Sequence, residues 1–472
     1  FWLKPLWRKL HKEHMLQQFT CSSVCNSPSS VVQPRRACLR LPHCNSLRTK
    51  ARIFTYFSVL SAVVRAGQLQ SCPKSAVRGR STADPSVDME IDADALKCVA
   101  AKVAEARHRD QPAAGFHIDN IDDNVHKFDR GVADGVTMLR IDPREGQLVD
   151  TPWVAWTDTA PGAGETKRGG ACVYKPTDQA VRKDTVALFI HGGGFEGFSP
   201  LEGGYDKFGS RLARDLNMIV VCPDHPLSGD RPFRAPEILA QLVLDALWLM
   251  KNDPTMPATP LEAGARVVLV GDSAGATQAM SVLLALAAKH AEHLSRVQGV
   301  VLVSPWLDMS CGSHTYVSNA FAQHTRTGDV AFQSPPDENR DMFRTCALRY
   351  LGTEALVKDI VQSPYWLCRG LPGSEEIIEA LQRAKVPIWM CIGHAETLMG
   401  EVLDFATRLR SSLPIEVWLH EGMFHDWILY SSDEVDFPSK KAAYRNIVDF
   451  ISRSIKAEPV TKPGIHFYID EW

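Results

Sequence analysis

The sequence predicts an α/β protein with a mostly parallel central sheet and helices on both faces. Three observations predict it. From about residue 136, short apolar runs alternate with stretches of helical periodicity. Several runs are apolar without alternation, as strands covered on both faces are. Two of them end in glycine-rich turns, at residues 192 to 194 and 271 to 275, and the second turn passes straight into a helical pattern.

The strand candidates, in order, are residues 171 to 176 (ACVYKP), 185 to 194 (TVALFIHGGG), 217 to 225 (NMIVVCPDH), 266 to 273 (RVVLVGDS), 297 to 306 (VQGVVLVSPW), 386 to 394 (VPIWMCIGH) and 413 to 422 (LPIEVWLHEG). Val, Ile, Leu and aromatic residues dominate them, and such side chains suit a pleated, buried surface. Between them, helical spacing of apolar residues runs over 205 to 216, 235 to 252, 275 to 294, 400 to 413 and 440 to 455. Residues 307 to 378 break the rhythm, with no strong strand pattern and many aromatics, among them Trp306 at its edge, Tyr316, Phe332, Phe343 and Tyr350. This stretch is expected to be a helical cap inserted between two strands.

Ahead of the sheet the chain changes character. Residues 1 to 80 hold fourteen Lys and Arg against a single acid, Glu13, although the whole chain has a net charge of −3. Such a basic, acid-poor segment reads as a transit or signal leader, a disordered tail or translated non-coding sequence. Within it, IFTYFSVLSAVV (53 to 64) falls short of the roughly twenty apolar residues that a bilayer core requires. No transmembrane span is expected. Helical spacing returns in ADALKCVAAKVAEARH (93 to 108), and one or two helices are expected over 88 to 130. The organisation expected is a leader at 1–82, N-terminal helices forming part of the cap at 83–135, an α/β core at 136–306 and 379–456, the inserted cap at 307–378, and a C-terminal tail at 457–472.

Composition narrows the chemistry. The chain is 45% apolar and 23% charged, as globular proteins are, and its charge gives no reason to expect a nucleic-acid partner. Its twelve cysteines include no Cys-x-x-Cys pair, and no Asn-x-Ser/Thr sequon occurs. A zinc ribbon, a thioredoxin-type site and a disulfide framework are therefore disfavoured. Scattered core thiols in a cytoplasmic or organellar protein are the better expectation.

The turn at Gly271-Asp272-Ser273-Ala274-Gly275 sets a serine between tiny residues, where a sharp strand-to-helix turn can hold its Oγ clear of the sheet. By itself, a Gly-x-Ser-x-Gly match arises about once in seven chains of this length and content. A structural βα turn and a phosphate cradle are the alternatives. The other turn, His191-Gly192-Gly193-Gly194-Phe195, leaves backbone N–H groups unshielded, able to converge on one oxygen; a flexible loop is the alternative. The order strand, glycine loop, strand, serine turn favours a nucleophile with an oxyanion hole.

A serine needs a base to take its proton. Of sixteen histidines, His425 lies just beyond the last predicted strand and before the last helix, in keeping with the chain order serine, acid, histidine. His420 is the rival, placed within the strand. A carboxylate must orient the imidazole. Glu396, three residues past Gly393, is the first candidate; Asp308 is the alternative, and Glu401 and Asp404 fall on helical spacing, where they are expected to be solvated.

With HGGGF, GDSAG, GHAETL and EGMFHDW in this order, residues 170 to 455 resemble the hormone-sensitive-lipase-like branch of the α/β-hydrolases, which includes microbial esterases and arylacetamide deacetylases. The resemblance implies an α/β-hydrolase fold with a two-part cap. It implies Ser273 as nucleophile, His425 as base, Glu396 as acid, and the N–H groups of Gly193, Gly194 and Ala274 as the oxyanion hole, with His191, Gly192 and Asp272 supporting the motifs. The chain departs from the family pattern at the acid, where Asp is common, at PDHPLSGDRPF (223 to 233) in place of Tyr-Arg-Leu-Ala-Pro-Glu, and at Ala276 in place of a glycine.

The function expected is hydrolysis of short- to medium-chain or aryl carboxylic esters, with amides and lactones as alternatives. No metal or cofactor is expected. The partner is a small-molecule ester, and a homodimer is left open. A rival from another class is a receptor: plant gibberellin receptors resemble the same family but have lost the histidine that this chain keeps.

Overall fold

In the computed structural model, the described residues are 131–468 apart from 142–154, 159–165, 178–179, 230–232, 257–258, 323–327, 333, 431–437 and 459–462. All of them fall in one unit, Ala114–Trp472. The expected leader, its apolar run at 53 to 64 and the helices expected over 88 to 130 lie outside the described residues.

The chain enters through β1 (Val136–Ile141), the hairpin β2 (Ala155–Asp158) and β3 (Thr166–Gly169), and then β4 (Ala171–Pro176) and β5 (Arg182–Ile190). Alternation follows: α1 (Tyr205–Leu216), β6 (Met218–Pro223), α2 (Ala235–Leu249), β7 (Arg266–Asp272), α3 (Ser273–Lys289) and β8 (Val297–Val303). After the cap come α6 (Ser374–Ala384), β9 (Ile388–Gly393), α7 (Met399–Leu409), β10 (Ile415–His420), α8 (Pro438–Ile455) and β11 (Gly464–Tyr468). The cap segment itself is helical in its described residues, with α4 (Thr315–Ser318), α5 (Pro336–Leu351) and short 3-10 turns at Glu354–Leu356 and Pro364–Arg369.

Nine strands form one sheet in the order β1-β4-β6-β5-β7-β8-β9-β10-β11. From β6 to β11 every pairing is parallel, while β1 and β4 run antiparallel at one edge. The strand β7 lies at the centre, so Val267, Leu269, Val268 and Val270 are all fully buried. Val268 and Val270 pack toward the side that holds Phe208 and Leu212 of α1 and Phe450 of α8. The helix α3 packs against β7, and α2 against α3, which explains an apolar run without alternation: both faces are covered. Burying one such valine contributes about 1.5 to 3 kcal/mol. The helix α3 is buried from Ser273 to Ala287, as a helix that is apolar around most of its circumference should be.

The seven strands read from the sequence correspond to β4 through β10 apart from trimming at their ends. Three pieces of sheet were not read there. The edge strand β1 has only half-buried and exposed positions over six residues, and the β2–β3 hairpin is four residues a side. Within 457–472, set apart as a tail, β11 pairs in parallel with β10 from Glu416 opposite Gly464 to His420 opposite Tyr468.

Among the described residues no helix is long and apolar enough to cross a membrane, and the six cysteines there, Cys172, Cys222, Cys311, Cys346, Cys368 and Cys391, are free thiols.

Candidate active site

The central strand ends in a turn that its glycines make possible. A Cβ on Gly275 would lie 2.2 Å from the Ile190 carbonyl oxygen, and one on Gly271 would lie 2.3 Å from the Gly275 carbonyl oxygen. Only hydrogens fit there. Between them Ser273 takes φ +50°, a left-handed conformation that a side chain bearing Cβ adopts at a cost of about 1 to 3 kcal/mol. Gly275→Ala is accordingly expected to lower the folding free energy by about 3 kcal/mol or more, measured as a reduced urea midpoint; an unchanged midpoint would contradict the close approach.

Asp272 ties this turn to the glycine loop after β5. Its Oδ1 accepts the Gly192 N–H at 3.0 Å, and its Oδ2 accepts the Tyr205 hydroxyl at 3.0 Å. The loop abuts the serine closely enough that a Cβ on Gly192 would lie 3.1 Å from the Ser273 Cβ. Gly193 takes φ +103° and Gly194 φ +62°, and Ala274 is the second residue of α3. Phe195 closes the loop, its carbonyl accepting from the backbone N–H of Ser228 at 2.8 Å and from its hydroxyl at 3.1 Å. The divergent segment 223 to 233 thus anchors the loop. Its His225 stacks on His191, ring centroids 4.2 Å apart, and burial holds both imidazoles below the usual histidine range.

His425 follows β10, and the structure brings it to the serine: His425 Nε2 and Ser273 Oγ are 2.8 Å apart. On its other side, Nδ1 is 3.1 Å from Glu396 Oε2. The second oxygen of Glu396 accepts the Ser304 hydroxyl at 2.8 Å and the Gly393 N–H at 2.6 Å, so the carboxylate is held at both ends. Glu396 is fully buried. Burial pushes its carboxyl up, and His425 pulls it back toward ionisation. For His425 burial works against the charged form, but the carboxylates of Asp426 and Glu396 outweigh it and hold the imidazole above its usual range.

The rival residues have other duties. His420, the last residue of β10, is buried between Trp427 and Tyr468, and burial lowers its imidazole to about 3. Asp308 accepts from the Ser310 N–H and hydroxyl and from the Gly312 N–H. Asp404 holds the Tyr365 hydroxyl and Arg408. Glu401 departs from the solvated position expected of it: it is buried, accepting the N–H groups of Leu307 and Asp308 and the Tyr316 hydroxyl. It pins the point where the chain leaves the sheet for the cap.

Several site residues were not found by sequence reasoning. Asp329, in the cap segment, accepts the backbone N–H of His425 at 3.1 Å and of Thr397 at 3.0 Å. Asn319 donates to the Glu396 carbonyl at 2.9 Å. Ser304, at φ +45°, donates to Glu396 and accepts the Asp426 N–H at 3.1 Å. The Phe332 ring lies 4.8 Å from the His425 ring. Above the loop, Phe195 stacks on Tyr350 at 3.7 Å and meets Trp306 at 5.2 Å. The signal for Asp329, Asn319 and Ser304 was thin, because each is one polar residue in a segment without a polar motif, whereas Phe195 stood in the glycine-loop motif and Trp306, Phe332 and Tyr350 among the aromatics of the cap segment. Among the described residues, no group of three or more His, Cys, Asp or Glu is arranged to hold a metal ion.

A parallel sheet with a serine on a left-handed turn after its central strand, hydrogen-bonded to a histidine and thence to a carboxylate, defines the α/β-hydrolase class. A sequence model described as alpha/beta hydrolase fold matches residues 187–429, just over half of the chain, and the protein belongs to that family. No curated protein matches the chain. Among solved structures it is similar to an esterase/lipase from an uncultured bacterium, with 17% identity, TM-score 0.48, and 69% of this chain and 87% of that one covered. It is also similar to an esterase from the bacterial hormone-sensitive lipase family, with 18% identity, TM-score 0.47, and 85% and 97% covered.

Proposed function

We propose that the protein hydrolyses carboxylic esters of short to medium acyl chain, or aryl esters, through an acyl-enzyme. The observation that carries this is the continuous pair of hydrogen bonds from Ser273 Oγ to His425 Nε2 and from His425 Nδ1 to Glu396. Ser273 Oγ attacks the ester carbonyl carbon as His425 Nε2 takes its proton, giving a tetrahedral oxyanion. Collapse expels the alkoxide, which leaves as the alcohol with the proton from His425. Water then attacks the acyl-enzyme by the same path and releases the acid and the free serine. Glu396 holds the Nδ1–H tautomer and stabilises the imidazolium. The N–H groups of Gly193, Gly194 and Ala274 are the oxyanion donors, each contributing about 3 to 4 kcal/mol to the transition state.

The aromatic cluster of Phe195, Trp306 and Tyr350 beside the glycine loop, with Phe332 against the His425 ring, supports an apolar acyl or aryl group over a charged one. The reading is tested on purified protein with a p-nitrophenyl ester series from acetate upward, together with a fluorophosphonate probe and peptide mapping. Turnover that peaks at short or medium chains, with label on Ser273, is expected. Saturable ligand binding without turnover or label would overturn it in favour of a receptor.

A further inference from the structure

The ring nitrogen that faces Ser273 has a second neighbour. Asp426 Oδ2 is 3.0 Å from His425 Nε2, while Ser273 Oγ is 2.8 Å from the same atom. Asp426 is held there by its own backbone: φ is +56°, and its N–H donates to Ser304 Oγ, the hydroxyl that also grips Glu396. Its other oxygen, Oδ1, is buried with no hydrogen-bond partner. The side chains of His425 and Asp426 are only 7% and 12% exposed, so water screens this pair poorly.

Counting protons shows what the contact requires. Nδ1 faces the Glu396 carboxylate and therefore carries a hydrogen. A neutral imidazole then presents a bare lone pair at Nε2, which suits the Ser273 hydroxyl but opposes a lone pair on an ionised Asp426 at hydrogen-bond distance. The contact is attractive only when Nε2 also carries a hydrogen, so that an imidazolium faces the carboxylate as an ion pair. That imidazolium cannot accept from Ser273.

We propose that Asp426 is a positioning residue whose carboxylate favours a proton on His425 Nε2 in the resting site, and so sets the pH at which His425 becomes free to deprotonate Ser273. As pH rises that proton passes to solvent, the Nε2 lone pair is released, and no other bond changes. The proposal rests on the hydrolase reading given above. The other titratable groups around the pair are Glu396 from the turn after β9, Cys391 on β9, Asp329 from the cap segment, Asp272 at the end of β7, Tyr205 on α1 and Tyr430 beyond the 3-10 turn Trp427–Leu429. All of them stay in place when Asp426 alone is changed. The sign follows from the charge: a carboxylate beside the base favours its protonated form, so removing it moves the acid limb of activity to lower pH.

The test is the pH profile of kcat/KM for p-nitrophenyl butyrate in wild type, Asp426→Gly and Asp426→Asn, each scaled to its own plateau. Gly and Asn both tolerate a left-handed φ. The acid-limb midpoint is expected to fall by about one to two pH units in both variants, as removal of a carboxylate in direct contact predicts. Nitrogen-15 spectra of the resting protein read the His425 imidazole titration without turnover, and the same downward movement is expected there. A midpoint and a titration unchanged in both variants would overturn the proposal and leave Asp426 a structural residue. An inactive wild type whose His425 titration still moves on mutation would instead sink the hydrolase reading and keep the coupling of Asp426 to His425.

Discussion

Ser273→Ala is expected to lower kcat for p-nitrophenyl butyrate about a million-fold, and Glu396→Gln about ten-thousand-fold, with KM nearly unchanged in both. The glutamine effect follows from which oxygen is already occupied. Glu396 Oε1 accepts from the Ser304 hydroxyl and the Gly393 N–H, so the amide carbonyl takes that position and the NH2 turns toward His425 Nδ1. Nδ1 must then accept, its hydrogen moves to Nε2, and the base points a proton at the serine. The double variant is expected to be no worse than Ser273→Ala alone, because the residues act as one unit. Asp308→Asn and Asp404→Asn, whose partners lie elsewhere, are expected to stay within a few-fold of wild type. The reverse pattern, with Asp308→Asn inactive and Glu396→Gln active, would move the acid to Asp308. Glu401→Gln is no clean control, since that carboxylate holds the cap stem from a buried position.

What could be read in advance divides along a physical line. The central strands were legible because burial on both faces leaves a continuous apolar run, and β7 with its turn shows it at Val267–Val270. The serine turn and glycine loop were legible because close approach restricts the residue type, as at Gly275 beside Ile190. The edge strands β1 and β11 were not, since an edge buries little and its composition is correspondingly loose. Nor was the burial of Glu401: helical spacing places a carboxylate on a helix, but only the tertiary arrangement decides whether a backbone turn needs it. Asp426 stood next to His425 in the sequence throughout. Its significance depends on a left-handed φ that turns its carboxylate back onto Nε2, and nothing in a short polar turn announces that.

Asp329→Ala is expected to lower kcat about a hundred-fold while KM changes little, the second large effect. The carboxylate is fully buried, with Oδ1 accepting from the backbone N–H groups of His425 and Ala331 and Oδ2 from that of Thr397. It therefore joins the loop of His425 to the loop of Glu396 from outside the sheet. The cap holds the same acid loop at other points: Thr315 donates to the Thr397 carbonyl, Asn339 to the Thr397 hydroxyl and Asn319 to the Glu396 carbonyl. Losing Asp329 leaves buried N–H groups without an acceptor, at about 1 to 3 kcal/mol each, and lets the two loops drift. A displacement of about 1 Å is enough to cost a hundred-fold in rate. Asp329→Asn should be milder, because its carbonyl can keep His425 while its NH2 opposes only the Thr397 N–H. Thermal midpoint and kcat measured together decide the matter: a rate loss that persists where each variant is fully folded assigns Asp329 to alignment of the site, whereas a rate that tracks the folded fraction would reduce it to a fold contact. In the first case the inserted segment takes part in aligning the site, since the separation of Glu396 and His425 is set partly from its side.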